Sequence, residues 1–178
     1  MGKLTFIILL IFGLFVIYEA KAEEPRCKAW AYELSESRAY RYEQYYTANH
    51  PEAGRVLAIL WEEGVPARYF YLMLAESNAR TNAESQAGAV GSWQLTAATA
   101  RRYGCADREN VEESTRAAAR YIAKLRKDFD GDDWKVIAAY NMGGHNLKAK
   151  GATREARALA DFVTCLFIKD PFFLDGME

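Results

Sequence analysis

Glu112-Glu113-Ser114-Thr115-Arg116-Ala117-Ala118-Ala119-Arg120-Tyr121-Ile122-Ala123-Lys124-Leu125-Arg126-Lys127-Asp128-Phe129 carries Ala118, Tyr121, Ile122, Leu125 and Phe129 at intervals of three and four. That spacing lines them along one stripe of a 3.6-residue helix, with Glu, Arg and Lys on the other faces. The pattern recurs on both sides. Upstream, Val56, Ile59 and Leu60 mark a helix over 51–63, opened by Pro51 and closed by Gly64. Pro66 then opens a segment from Ala67 to Ser77 with Phe70, Met73 and Leu74 on its stripe. Residues 78–92 hold Asn, Ser and Gly with little periodicity and read as a loop. The spacing predicts a helix from Trp93 to Tyr103, stopped by Gly104. Downstream, Asp132-Asp133 caps a helix through Tyr140 that Gly143-Gly144 terminates, and Thr153 caps a last one with Leu159, Phe162, Val163, Leu166 and Phe167 inward. Residues 26–49, free of Gly and Pro, suit one more helix; Tyr32, Tyr40, Tyr42, Tyr45 and Tyr46 on it read as packing. No period-2 run is convincing. The fold class is all-α.

The 178 residues fit one domain, 23–178, with an N-terminal helical extension over 26–49 and a targeting segment ahead of it. Residues 4–18 are nearly all apolar and follow Lys3, and Ala20-Lys21-Ala22 is a small-x-small exit before Glu23-Glu24. This is the layout of a secretory signal peptide over 1–22, which predicts export to the periplasm. An inner-membrane anchor through residues 4–18 is the alternative, though the run is shorter than the roughly 20 residues a spanning helix needs.

The net charge of −1 leaves no basic excess for phosphates and argues against a nucleic-acid partner. Three cysteines, Cys27, Cys105 and Cys165, allow one disulfide and leave an odd thiol in an oxidising compartment. Their spacing matches no zinc pattern, and His50 and His145 lie far from them, so no metal and no other cofactor is expected.

Glu76 ends a segment rich in Phe, Met, Leu and Ala and faces the polar loop. A carboxyl at an apolar helix end is partly desolvated, which raises its pKa and lets it hold a proton near neutral pH. Most glutamates with such a pattern are ordinary surface residues, so the pattern alone does not assign chemistry to Glu76.

Three blocks, in order, change that weighting. They are Leu74-Ala75-Glu76-Ser77; Asn82-Ala83-Glu84-Ser85-Gln86-Ala87-Gly88-Ala89-Val90-Gly91-Ser92-Trp93-Gln94-Leu95; and Ala138-Ala139-Tyr140-Asn141-Met142-Gly143. Together they resemble the soluble-lytic-transglycosylase type of catalytic domain. Glu62-Glu63-Gly64-Val65-Pro66 and Glu113 to Tyr121 are similar to the D type of the membrane-bound lytic transglycosylases.

The resemblance implies a lysozyme-like fold that binds peptidoglycan glycan strands and cuts between N-acetylmuramic acid and N-acetylglucosamine. It implies Glu76 as single acid/base, with the muramic acid C6 hydroxyl closing a 1,6-anhydro ring. It further implies that Ser77 and Ser85 bond Glu76 or the substrate's acetamido group, and that Gly91 keeps the backbone close to the sugar. Gln94 would offer amide donors and acceptors to the sugar, Tyr140 would hydrogen-bond Glu76, and Asn141 would contact the muramic acid.

Two stretches depart from the family pattern. Ser92-Trp93 replaces a frequent apolar pair, the Trp either stacking on a sugar or packing. Met142-Gly143-Gly144-His145 replaces Ala-Gly-Pro-Gly. Two other readings stay open. One is a goose-type lysozyme-like hydrolase, for which Glu84 is the only acidic residue of the loop. The other is a non-catalytic glycan-binding component of an envelope secretion apparatus; service to an envelope-spanning secretion or division machine also suits an active enzyme.

Overall fold

The computed structural model describes residues 7–11, 14–18 and 50–169. The helix expected over 26–49 lies outside the described residues. From residue 50 onward the chain is helical: α1 (His50–Glu62), a 3₁₀ turn (Ala67–Tyr69) continuing into α2 (Phe70–Ser77), α3 (Ala97–Tyr103), α4 (Val111–Asp128), α5 (Asp133–Met142), α6 (Gly144–Lys150) and α7 (Arg154–Lys169). Near the start, β1 (Ile7–Ile11) pairs antiparallel with β2 (Leu14–Tyr18), Leu9 opposite Val16. The sequence suggested no strand because this run is apolar throughout rather than alternating. A short continuous run, rich here in Ile, Val and Phe, fits a strand as well as a helix.

Two short helices form the centre. In α2, Phe70, Tyr71, Leu72, Met73 and Leu74 are all buried, and in α5 so are Val136 through Tyr140. Helices apolar on every side belong inside a protein rather than at its surface. Around them, α5 packs against α4, α6 and α7, α2 against α7, and α4 against α1 and α3. The α4 stripe lies inward as its spacing requires: Ala118, Ile122 and Leu125 are buried. In α7, wholly buried Cys165 is disulfide-bonded, while buried Cys105 is a free thiol.

The helix starts follow their capping residues. Asn110 Oδ1 accepts from the Glu113 amide (3.1 Å), Asp132 Oδ1 from Lys135 (3.2 Å), and Thr153 Oγ1 from Ala156 (3.1 Å). The expected start of the fourth element is corrected. Helix α3 begins at Ala97 rather than Trp93, because Thr96 Oγ1 accepts the Thr99 amide at 3.2 Å and caps it. Trp93 to Leu95 belong to the loop instead, where Val90 and Leu95 exchange amide–carbonyl bonds in a small bridge. Past Gly143 the chain makes an unforeseen turn of helix, α6, and Gly144 begins it close against Leu125.

Trp93 packs; it offers no stacking face to a ligand. It is fully buried, and its indole N–H donates to Thr115 Oγ1 at 2.8 Å, tying the loop to α4. Thr115→Val keeps the volume and leaves that buried donor without an acceptor. The expected result is a loss of about 1–3 kcal/mol in denaturant unfolding, with helix content by circular dichroism unchanged.

Candidate active site

Helix α2 ends at Ser77, and Asn78 follows in the left-handed conformation (φ 53°), its amide bonded back to Leu74 at 2.8 Å. Ala79 repeats that conformation (φ 58°) while buried, a strained pair for residues other than glycine. Glu76 sits in this last turn. Its carboxyl lines a cavity of about 230 Å³, together with Ser85, Gln94, Tyr121, Tyr140 and Asn141. Glu76 is the only acidic residue among the lining side chains.

The electrostatics of Glu76 are simple. Among the described residues it makes no hydrogen bond and no ion pair, and burial alone pushes its pKa from 4.5 up to about 7. Its place at a helix C-terminus, where the peptide dipoles present partial negative charge, disfavours the carboxylate further. A carboxyl still partly protonated at neutral pH is a group able to give that proton to a leaving oxygen.

The structure distributes the expected site residues unevenly. Ser85, Gln94, Tyr140 and Asn141 join Glu76 around the cavity. Asn141, exposed in the last turn of α5, keeps a free side-chain amide. Ser85 Oγ accepts the Ala89 amide at 3.1 Å, which leaves its own hydrogen for other partners.

Gln94, held at φ 48°, donates its side-chain N–H groups to Ala83 O (3.1 Å) and Gly91 O (2.9 Å). Both donors therefore fasten the loop, and the amide oxygen alone remains for a ligand, where the sequence suggested both.

Three expectations are corrected. Tyr140 is buried, and its hydroxyl donates to Trp93 O at 2.8 Å rather than to Glu76. The ring lies near enough to Glu76 for a carboxylate there to raise the Tyr140 pKa, after burial, the larger cause. With its one hydrogen engaged, the hydroxyl can offer Glu76 only an acceptor.

Ser77 is also buried and lies outside the cavity lining. It donates to Ser92 O at 2.7 Å and so fixes the end of α2 to the loop. Gly91 does not approach the cavity either. Its φ is 84°, and a Cβ there would stand 2.0 Å from Arg108 O, so the site admits only glycine. Ser92, where the family often has an apolar residue, keeps a buried hydroxyl with no partner.

Other contributors escaped the sequence reading. The Arg108 guanidinium donates to Gly88 O (2.9 Å) and Leu95 O (3.1 Å), closing the loop over the cavity. Tyr121, read as core, lines the cavity, and its ring lies between Tyr103 and Tyr140, 5.3 Å from each centroid. Its position on the inward stripe of α4 gave no sign of this; the polar tip of a tyrosine at a stripe's edge was the available signal. Glu84 is exposed and is not part of the lining. No cluster of three or more His, Cys, Asp or Glu able to hold a metal occurs among the described residues.

Replacing Glu76 should also change stability in a direction set by its pKa. The folded state raises the pKa, so the unfolded chain loses its proton first as pH rises above 4.5. Stability is therefore full below that value and falls as pH rises to about 7. Glu76→Gln removes this penalty. The variant should match the parent near pH 4 and exceed it at pH 8 by about 1–3 kcal/mol in denaturant unfolding, the order expected for a shift of this size. Equal stability at pH 8 would mean an ordinary, solvated carboxyl.

A family model described as the transglycosylase SLT domain matches residues 58–163. Membrane-bound lytic murein transglycosylase D of Escherichia coli K12 is 34% identical over 102 residues, covering 54% of this chain and 23% of that protein. Membrane-bound lytic murein transglycosylase F of Yersinia pestis (strain Pestoides F) is 38% identical over 93 residues, covering 48% and 19%. The chain thus spans less than a quarter of the length of either relative. Among solved structures, an inactive mutant of the lytic transglycosylase Slt from Pseudomonas aeruginosa superposes with a TM-score of 0.57 at 19% identity, over 66% of this chain and 24% of that one. That likeness bears on the fold, which over residues 50–169 is all-α and lysozyme-like. With its family model covering α2 through most of α7 and the loop between α2 and α3, the chain belongs to the transglycosylase SLT domain family.

Proposed function

We propose that this chain is a peptidoglycan lytic transglycosylase, cleaving the β-1,4 bond between N-acetylmuramic acid and N-acetylglucosamine with Glu76 as its single acid/base. The observation that carries the proposal is the unpaired Glu76 carboxyl, its pKa pushed up to about 7, in a cavity whose lining contains no second carboxylate. Protonated Glu76 gives its proton to the glycosidic oxygen as the bond to the anomeric carbon breaks. The resulting carboxylate takes the proton of the muramic acid C6 hydroxyl, whose oxygen attacks that carbon. One carbon–oxygen bond is lost, one is formed within the same sugar, and Glu76 returns to its starting state. The attacking group is already held by the substrate, which avoids the entropy of recruiting a separate nucleophile. Tyr140 acts indirectly, holding the Trp93 carbonyl and hence the loop. The Gln94 amide oxygen, the Ser85 hydroxyl and the Asn141 amide are the polar groups that face the sugars.

A hydrolase of the two-carboxylate kind needs a second acid to hold or replace a water. Exposed Glu84, outside the cavity lining, is poorly situated for that task. A purely glycan-binding role leaves the desolvated carboxyl unexplained, since it costs stability at neutral pH and makes no contact in return. We further infer that residues 1–22 direct export and that the chain acts on the wall from the periplasm. No helix among the described residues is long and apolar enough to cross a membrane. Local cutting of this kind suits the needs of an envelope-spanning secretion or division machine.

Digestion of purified sacculi, read by mass spectrometry, should release muropeptides ending in 1,6-anhydromuramic acid. Glu76→Gln should lower the rate by about a hundred- to ten-thousand-fold, the usual worth of general acid catalysis, while Glu84→Gln should leave it nearly unchanged. Reducing-end products, each heavier by one water, would establish the hydrolase instead.

A further inference from the structure

A second cavity, of about 360 Å³, adjoins the one that holds Glu76. The two cavities share Thr99 and Tyr121 in their linings and so lie side by side across the Tyr121 ring. The second is lined by Arg102, Tyr103, Lys124, Asp128 and His145. Its charges are not equivalent. Lys124 is paired with Asp128, whose carboxyl it holds below the usual range. Arg102 makes no ion pair and no hydrogen bond among the described residues. Its guanidinium lies 6.0 Å from the Tyr103 ring centroid and is exposed.

Arg55, Arg68, Arg116 and Arg120 engage carboxylates and Arg108 engages loop carbonyls, while Arg101 and Arg154, likewise unengaged among the described residues, line neither cavity. Arg102 therefore stands as an uncompensated fork of N–H donors beside the cavity that holds the reacting carboxyl. Such a fork matches a carboxylate, which it can grip through two parallel bonds.

We propose that this second cavity is a flanking subsite of the same groove, and that Arg102 recognises a carboxylate of the glycan substrate there. The inference rests on the reading of the groove as peptidoglycan-binding. Two sources supply that chemistry: the peptide stem, or the lactyl group of a muramic acid that carries no peptide. The Tyr121 and Tyr103 rings give an apolar floor between the two cavities for a sugar face. Arg102 is thus a specificity-determining residue, remote from proton transfer.

Binding separates this from catalysis. In the full chain carrying Glu76→Gln, calorimetric Kd values would be compared with and without Arg102→Gln. Three probes serve: peptide-bearing glycan tetrasaccharide, the same fragment stripped of peptide by an amidase, and the neutral N-acetylglucosamine tetrasaccharide. Arg102→Gln should weaken a carboxylate-bearing probe by about two- to fivefold, the range of an exposed ion pair, and leave the neutral probe unchanged. Weakening confined to the peptide-bearing fragment assigns the carboxylate to the stem, and weakening confined to the stripped fragment assigns it to the lactyl group. Arg102→Lys should recover part of the loss, because the charge remains. Unchanged Kd values for all three probes would overturn the proposal, as would equal weakening of the neutral one. Absence of sacculus cleavage by the parent chain would count against the catalytic reading alone, since these binding values do not depend on turnover.

Discussion

The carboxyl of Glu76 is withdrawn from water with no partner to compensate it, and the surrounding architecture serves that one constraint. The residue stands at the end of α2, a helix buried on every side, so its charged form meets apolar packing and the negative end of a helix dipole. Evolution could have relieved this with an arginine or a ring of amide donors; neither is within hydrogen-bonding reach among the described residues. The result is a carboxyl that remains partly protonated near neutral pH.

Holding that carboxyl in place falls to the loop between α2 and α3. Ser77 pins the helix end to Ser92, Tyr140 grips the next carbonyl at Trp93, and the Trp93 indole reaches Thr115 on α4. Gln94 and Arg108 fasten the remaining carbonyls, and Gly91 lets the loop lie against the Arg108 backbone. Each bond of this kind contributes only about 0.5–1.5 kcal/mol. Together they fix the loop from three helices, which is how a polar, glycine-containing segment forms the wall of a cavity. The strain at Asn78 and Ala79 lies where the helix must stop abruptly for the loop to begin.

The helices were legible because burial writes a period into the sequence: the α4 stripe and the Asn110, Asp132 and Thr153 caps needed no tertiary information. The start of α3 was not, since Trp93 and Leu95 continue an apolar spacing although the loop claims them. Likewise Ile7 to Tyr18 is apolar at every position, and a pattern without alternation does not separate strand from helix. Within the site, Glu76, Ser85, Gln94, Tyr140 and Asn141 could be named from the motif. Their individual bonds could not, because contacts across tens of residues are made by the fold. Tyr140 and Ser77 show this most clearly: both belong to the motif, and both act on the loop's backbone rather than on Glu76 itself. Tyr121 and Arg108 stayed hidden because one looks like core and the other like surface.

The function argued from this geometry therefore depends on a single quantity, the proton affinity of one side chain. Carbon-13 NMR titration of the Glu76 carboxyl, assigned by its absence in Glu76→Gln, measures it directly. The account predicts a midpoint near 7, well above the ordinary glutamate value of 4.5. A midpoint near 4.5 would mean a solvated carboxylate at neutral pH, and would contradict the role of Glu76 as the proton donor.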